Sequence, residues 1–185
     1  LNNGASIVAN GVTGFNNLTL NSTSTGTFSE ALTVDNNLVI GNNSTFVTNE
    51  TLTVNNNFTN NGGTVTANEV VTIDGNLTNS GEMTFNEETT IGGNFNNNNG
   101  TGDVTINDSF TVGGNFQNNS GANLTITSGS EMTVDGSMTN NSGSTLTNSG
   151  TINSKGDFTN NGGTVQNDGV HFVDGDFTQN GGTYT

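Results

Sequence analysis

Apolar residues occur in short groups separated by Asn- and Gly-rich stretches, and one apolar position returns about every twenty residues. Four residues before most copies lies a second apolar position, often at the end of a triplet such as Leu32-Thr33-Val34. A repeat of this length is typical of solenoid proteins. The copies of the first position are Leu18, Leu38, Phe58, Leu77, Phe95, Phe116, Met138, Phe158 and Phe177. A third position follows each Gly-rich stretch, at Phe46, Val65, Met83, Val104, Leu124, Leu146, Val165 and Tyr184.

Within each group apolar and polar residues alternate, which predicts short β-strands with apolar side chains inward and Thr outward. The Asn-Gly, Gly-Gly and Ser-Gly pairs between the groups tolerate the backbone conformations of tight corners. We therefore predict an all-β fold, a single-stranded parallel β-helix (β-solenoid) of about nine coils that forms a single domain over residues 1–185. The repeat runs to both ends without an evident cap, so strand edges at the ends are expected to pair with further coils.

Stacked coils place equivalent residues in columns along the axis, and two kinds of column are expected. Phenylalanine should form one aromatic column from Phe58, Phe95, Phe116 and Phe158. Asparagine recurs at corners, where stacked side-chain amides can form hydrogen-bonded ladders. The alternative for these residues is that Asn simply favours turns. The asparagines concerned are Asn36, Asn56, Asn60, Asn79, Asn97, Asn118, Asn140 and Asn160.

Composition removes several classes of function. The formal net charge is −15 and the chain contains one basic residue, Lys155, so it lacks the cations that bind nucleic acid or an anionic membrane surface. Without cysteine it has no thiol nucleophile, disulfide or thiolate metal site. No apolar run approaches the roughly 20 residues of a membrane helix, so membrane insertion is not expected. Only 28% of residues are hydrophobic, which favours a thin, stacked core over a conventional two-layer domain.

The candidates for catalysis are few, and we predict a protein that is not an enzyme and has no cofactor. Asp174 and Asp176 are close enough in sequence to suggest a glycosidase pair, but acids recur at the same turn in other coils. His171, the one histidine, falls in an apolar position. The neighbouring Phe172 suggests a slip of one residue that turns His171 outward and Phe172 inward.

Acidic residues form a further column, four residues before the second apolar position. Stacking would bring their carboxylates into successive levels, and oxygen ligands of this kind suit Ca²⁺. The alternative is an ordinary solvated corner. The residues of this column, the candidate metal ligands, are Glu30, Glu50, Glu69, Glu87 and Asp108.

Thr-x-Thr segments raise the alternative of an ice-binding β-solenoid. Examples are Thr64-Val65-Thr66 and Thr145-Leu146-Thr147. Other coils break the pattern, as at Glu82-Met83-Thr84, and coil length drifts between 18 and 22 residues, which is expected to spoil the match to an ice lattice. A carbohydrate-binding or polysaccharide-degrading β-helix is a further alternative, although the basic residues used by pectate-lyase-like sites are lacking.

The segment from Gly75 to Gly81, of the form Gly-x-Leu-Thr-Asn-Ser-Gly, resembles repeats in filamentous-haemagglutinin-type adhesins and autotransporter passengers. Phe58–Asn61 and Gly62–Val65 are similar to repeats of chlamydial polymorphic membrane proteins. The resemblance implies a right-handed β-helix at the cell surface, with a structural or adhesive role in a fibre, sheath or adhesin. It also implies an extracellular location and, as a partner, a glycan or another ligand on a host or neighbouring cell. From the uncapped repeat we expect either further coils of a longer adhesin or head-to-tail copies in a filament as partners.

Overall fold

The computed structural model describes residues 5–9, 11, 13–98 and 102–185, and their regular structure consists of β-strands. In this part of the chain no helix is long and apolar enough to span a membrane. The strands, in chain order, are β1 Ser6–Ala9, β2 Gly14–Phe15, β3 Leu18–Leu20, β4 Thr25–Phe28, β5 Leu32–Val34, β6 Leu38–Ile40, β7 Thr45–Thr48, β8 Leu52–Val54, β9 Phe58–Asn60, β10 Thr64–Ala67, β11 Val71–Ile73, β12 Leu77–Asn79, β13 Glu82–Phe85, β14 Thr89–Ile91, β15 Phe95–Asn98, β16 Asp103–Ile106, β17 Ser109–Val112, β18 Phe116–Asn119, β19 Asn123–Ile126, β20 Glu131–Val134, β21 Met138–Asn141, β22 Thr145–Asn148, β23 Thr151–Ser154, β24 Phe158–Asn167, β25 Val170–Val173 and β26 Phe177–Tyr184.

These strands form three faces around a narrow core. The first face is a parallel sheet of nine strands in the order β2-β5-β8-β11-β14-β17-β20-β23-β25. The second and third faces belong to one sheet of 17 strands, in which β24 and β26 each run through both faces. The prediction of an all-β parallel solenoid of about nine coils is confirmed.

Each predicted apolar position forms a continuous register column, which is apolar throughout except where Ser154 occupies the second position. Phe58 pairs with Leu38 on one side and with Leu77 on the other. The second position is continued from Val34 to Val54, and the third from Phe46 to Val65. The register is held because a slip of one residue would turn the apolar side chains of a strand out of the core.

Variation in coil length is concentrated at the corner between the second and third strands. Val34 and Leu38 are four positions apart, and the equivalent spacing is four in each later coil, although it is three from Phe15 to Leu18. Across the variable corner the spacing is eight positions from Leu38 to Phe46 but seven from Phe58 to Val65. The strands on either side of this corner remain in register, and the mismatch to an ice lattice stays a prediction.

The predicted aromatic column is only partly correct. All four of its phenylalanines are buried in one register column, but Leu77 and Met138 interrupt it. Within the column Phe95 and Phe116 are in ring contact, with centroids 5.1 Å apart. Phe28 and Phe46 are in contact within the third face, and other aromatic contacts cross between faces: Phe46–Phe58, Phe85–Phe110 and Phe95–Phe110. The rings therefore form separate clusters, because rings on different faces approach to 5.2–6.3 Å between centroids across the core.

The predicted slip at His171 is wrong. His171 lies opposite Ile152 and Phe172 lies opposite Asn153, so the register of β25 continues that of β23. Phe172 points outward and is 57% exposed. A slip would have moved Val173 out of its apolar column, and the inward imidazole finds two hydroxyl partners, described below.

We predict that Phe116→Ala lowers the free energy of unfolding by about 3–5 kcal/mol, as loss of a fully buried phenyl ring does in other cores. The measurement is urea unfolding followed by circular dichroism. Phe172→Ala is the matched control, because it removes the same ring from an outward position. Equal losses in the two variants would contradict the inward placement of the Phe116 column.

Candidate functional site

A ladder of buried side-chain amides runs along the solenoid at the end of the second strand of each coil. In each of its members the Nδ2 group donates a hydrogen bond to the Oδ1 atom of the next coil, at 2.9–3.2 Å. At the far end Asn160 donates to Oε1 of Gln179 at 3.3 Å. The ladder consists of Asn60, Asn79, Asn97, Asn118, Asn140 and Asn160, each fully buried.

The remaining hydrogen-bonding capacity of these amides is used by the backbone of the adjoining turn. Nδ2 of Asn60 also donates to the carbonyl of Gly63 at 3.0 Å, and its Oδ1 accepts from the Gly63 N–H at 2.8 Å. Asn118 similarly donates to the carbonyl of Thr145 at 3.0 Å. Burying an amide without partners costs several kcal/mol, so this double bonding is what allows Asn in the core.

Glycine makes room for the ladder. A Cβ atom on Gly63 would lie 2.6 Å from Cγ2 of Ile40 and 2.7 Å from the carbonyl of Ser44. At Gly163 a Cβ atom would overlap Nδ2 of Asn140. The preceding Gly162 has a φ of +98°, which L-residues rarely adopt. The recurring Asn-Asn-Gly-Gly-Thr motif is thus the sequence of a corner that closes over a buried amide.

The predicted Asn ladder is confirmed for six of its eight residues. Asn36 and Asn56 instead lie at the corner between the first and second strands. There the Nδ2 group of Asn36 donates to Oδ1 of Asn16 at 2.5 Å. The buried ladder begins at Asn60, because Ile40 occupies the equivalent position in the preceding coil.

Three further ladders on the surface were missed, although the same period was their signal. In the first of these ladders, each side-chain oxygen accepts a hydrogen bond from the backbone N–H of the equivalent residue in the next coil. This ladder consists of Asn17, Asn37, Asn57, Asn76, Asn94 and Asn115. In the others amides bond to amides, through Asn49, Asn68, Asn86 and Asn107, and through Asn98, Asn119, Asn141, Asn161 and Asn180. Every corner of the coil therefore carries side-chain bonds along the axis.

The acidic column lies at the exposed corner after the third strand, directly beside the Asn49 ladder. Its five members, Glu30, Glu50, Glu69, Glu87 and Asp108, are all exposed. Among the residues that the structure describes, no three His, Cys, Asp or Glu side chains are placed to hold one metal ion. The corner offers successive carboxylates about 4.8 Å apart at the backbone, and calcium binding there stays a prediction.

Threonine forms regular columns on the outer surface. On the first face six consecutive coils place Thr in register: Thr33, Thr53, Thr72, Thr90, Thr111 and Thr133. On the third face the Thr-x-Thr pattern is interrupted by Val47, Glu82, Asp103 and Asn123. The first-face column is thus the longest uninterrupted array of hydroxyl and methyl groups in the described part of the chain.

The residues considered for catalysis do not lie in a cleft. Asp174 and Asp176 are at an exposed corner, where the Asp174 carboxylate lies 3.8 Å from the ammonium group of Lys155. A recess of about 410 Å³ opens elsewhere, where the variable corner shortens from coil to coil. Its side chains include Asn42, Asn43, Thr45, Thr64 and Glu82.

Comparison with protein-family models, with curated proteins and with solved structures finds no significant match to this chain.

We predict that Asn118→Asp lowers the free energy of unfolding at neutral pH by about 3 kcal/mol or more. The new carboxylate would be buried and would face two acceptors, Oδ1 of Asn140 and the carbonyl of Thr145. Urea unfolding measures the loss, which should shrink in acid as the carboxyl group protonates.

Asn115→Asp is the control, because the acceptor role of its side chain needs only an oxygen and Asp157 fills that role in its own coil. A change within about 0.5 kcal/mol is expected there. Similar losses in both variants would mean that burial of the ladder does not matter.

The calcium hypothesis predicts that millimolar Ca²⁺ raises the melting temperature of EDTA-treated protein by roughly 3 °C, the shift produced by about 1 kcal/mol of ligand binding in a chain of this size. Glu69→Gln, in the middle of the column, should reduce the rise. Equal melting temperatures in EDTA and Ca²⁺ would show that the column is an ordinary solvated corner.

Proposed function

We propose that this chain is a non-enzymatic structural segment of an extracellular fibre, sheath or adhesin. The observation that carries the proposal is the continuous parallel pairing of the coils, in which backbone, core and side-chain ladders all bond along one axis. In such a stack stability accumulates through contacts between neighbouring coils. The arrangement suits a rod that transmits force or spaces a ligand from a surface.

Assembly through the ends of the stack is part of the proposal. In the last described coil Phe177 is 50% exposed and Tyr184 is partly exposed, although their columns are buried in the interior coils. A further coil would cover them and pair with the open edges of β25 and β26. That coil is supplied either by covalent continuation in a longer adhesin or by a second copy stacked head to tail.

The surface chemistry fits an exterior role. A net charge of −15, spread over corners, keeps rods apart in solution. The recess beside Asn42 and Glu82 offers amide, hydroxyl and carboxylate groups that can hydrogen-bond to a hydroxyl-rich ligand. If the protein is an adhesin, this recess is the candidate glycan-binding site.

The test is to label intact cells of the source organism with an antibody raised against the chain, and to image the labelled structures by electron microscopy. Labelling of surface fibres without permeabilisation is expected, and labelling only after permeabilisation would contradict the proposal. Purified chain should be imaged in parallel with Phe177→Lys, which places a charge in the exposed core column. Long rods in the unmodified chain but not in the variant would assign assembly to head-to-tail stacking, and monomers in both would assign it to a longer chain.

Ice binding is the second candidate, and the straight Thr column on the first face is the observation that favours it. Most changes in coil length fall at the variable corner, and the strands that carry that column stay paired in register. Thermal hysteresis that is lost when Thr72 and Thr90 are replaced by bulky residues would favour this function over the structural one.

A further inference from the structure

The single histidine joins the beginning and the end of the last described coil across the core. Its Nε2 atom lies 3.0 Å from Oγ of Ser154, and its Nδ1 atom lies 3.0 Å from the hydroxyl of Tyr184. The edge of the imidazole also packs against the ring of Phe158, with centroids 4.6 Å apart. His171 is carried by β25 and Tyr184 by the end of β26, so one side chain fastens two faces of the coil to each other and to the coil below.

The neutral imidazole is fully satisfied in this position. Whichever ring nitrogen carries the proton, one hydroxyl accepts it and the other donates to the bare nitrogen, since Ser and Tyr can do both. Ser154 is buried and its Oγ atom also lies 3.5 Å from Sδ of Met138. This hydroxyl is therefore closed to a substrate, and the Ser–His contact serves packing rather than nucleophilic catalysis.

Among the described residues no carboxylate forms an ion pair with the imidazole, so a proton on the ring would be uncompensated there. The ionisable group that faces the ring is Tyr184 from β26, and burial raises the pKa of its phenol. On β23 and β24 the neighbours are Ser154 and Phe158, which are uncharged. Lys155 and Asp174 flank the cluster in sequence, but their side chains are 51% and 62% exposed and they pair with each other.

The coil that His171 fastens is packed on one side only in the described structure. Its inward residues Val173 and Tyr184 contact the core from its end, and Phe177 is half exposed. In a stack whose stability comes from neighbours, a coil packed on one side lacks the contacts that an interior coil makes on its other side, so its local opening costs less free energy.

We propose that His171 forms an acid-sensitive contact. Protonation of its imidazole releases the coil of residues 170–185 from the stack, while the interior coils stay folded.

The direction of the effect follows from the pKa of the group in each state. Burial lowers the pKa of His171 from 6.5 to about 4. A group whose pKa is depressed in the closed state stabilises that state fully above the pKa of the open state. Closure therefore weakens as the pH falls from about 6.5 towards 4, because the released coil binds a proton that the closed coil rejects.

The chain provides its own reporter, because Tyr184 is its one tyrosine and it has no tryptophan. Tyrosine emission and its quenching by acrylamide should be followed from pH 7 to below pH 4, with far-ultraviolet circular dichroism to monitor the interior coils. Quenching should rise through this range towards that of free tyrosine, before the strand signal is lost. The imidazole resonances of the unmodified chain, observed by NMR, should titrate well below pH 6.5.

The matched variant is His171→Ile, which restores the residue that the column has at Ile152 and keeps every carboxylate. In this variant the acid-induced rise in quenching should be lost. A Lys155→Gln variant, which breaks the nearby charge pair, should still show it. The proposal is overturned if His171 titrates near pH 6.5 in the folded chain, if Tyr184 stays protected until all strands unfold, or if His171→Ile shows the same transition.

Discussion

Hydrogen bonding between successive coils is the interaction on which the rest of this structure depends. With 28% hydrophobic residues the chain cannot surround a thick core, so each coil closes around a single layer of inward side chains. The strands of that coil are only partly satisfied until the coils above and below pair with them. Because pairing is parallel and in register, each inward residue meets its equivalents, and a column works only if neighbouring members are compatible. The fold is therefore specified by columns more than by individual coils.

The buried amide ladder shows how strongly this constraint acts. A lone asparagine in an apolar core would be destabilising, but Asn97 bonds to Asn79 and Asn118 in the adjacent coils and to the turn beside it. The free-energy cost of burying its amide is offset only while the neighbouring coils also carry an amide at this position. An amide in one coil therefore favours an amide in the next. The donors of this ladder point towards the C-terminus, whereas in the surface ladder Asn68 donates back to Asn49. Opposed ladders of this kind partly cancel the dipoles that a single aligned column would accumulate.

The sequence was sufficient to predict what depends on period alone. The spacing from Leu38 to Phe58 predicted parallel strands, inward columns and the pairing of equivalent residues, all of which the structure confirms. The amide ladder could be predicted from Asn60 onwards, but the coil at which it begins could not. Asn36 and Asn60 are the same residue type, and only their places in the coil differ: Asn36 lies between the first and second strands, and Asn60 ends the second strand. The ring contacts could not be predicted. Phe85 and Phe110 lie on different faces and touch across the core, and the repeat length does not specify the distance between those faces. The position of the acidic column could be predicted from the repeat. Its affinity for a cation could not, because it depends on the orientations of exposed carboxylate side chains, which the repeat does not determine.

The outward orientation predicted for His171 is wrong because three departures from the repeat compensate one another. Considered alone, a histidine in an apolar column next to Phe172 favours a register slip, because burying the phenyl ring would be more favourable than burying the imidazole. The slip is avoided because departures from the repeat occur together: Ser154 replaces valine in its own column, and Tyr184 ends the third-face column with a hydroxyl. These two hydroxyls lie on either side of the ring. Three polar substitutions that would each disturb a column thus compensate one another within adjacent coils. In a solenoid, a residue that breaks the repeat is best interpreted with the residues one coil away in space, about twenty positions away in sequence, rather than with its neighbours along the chain.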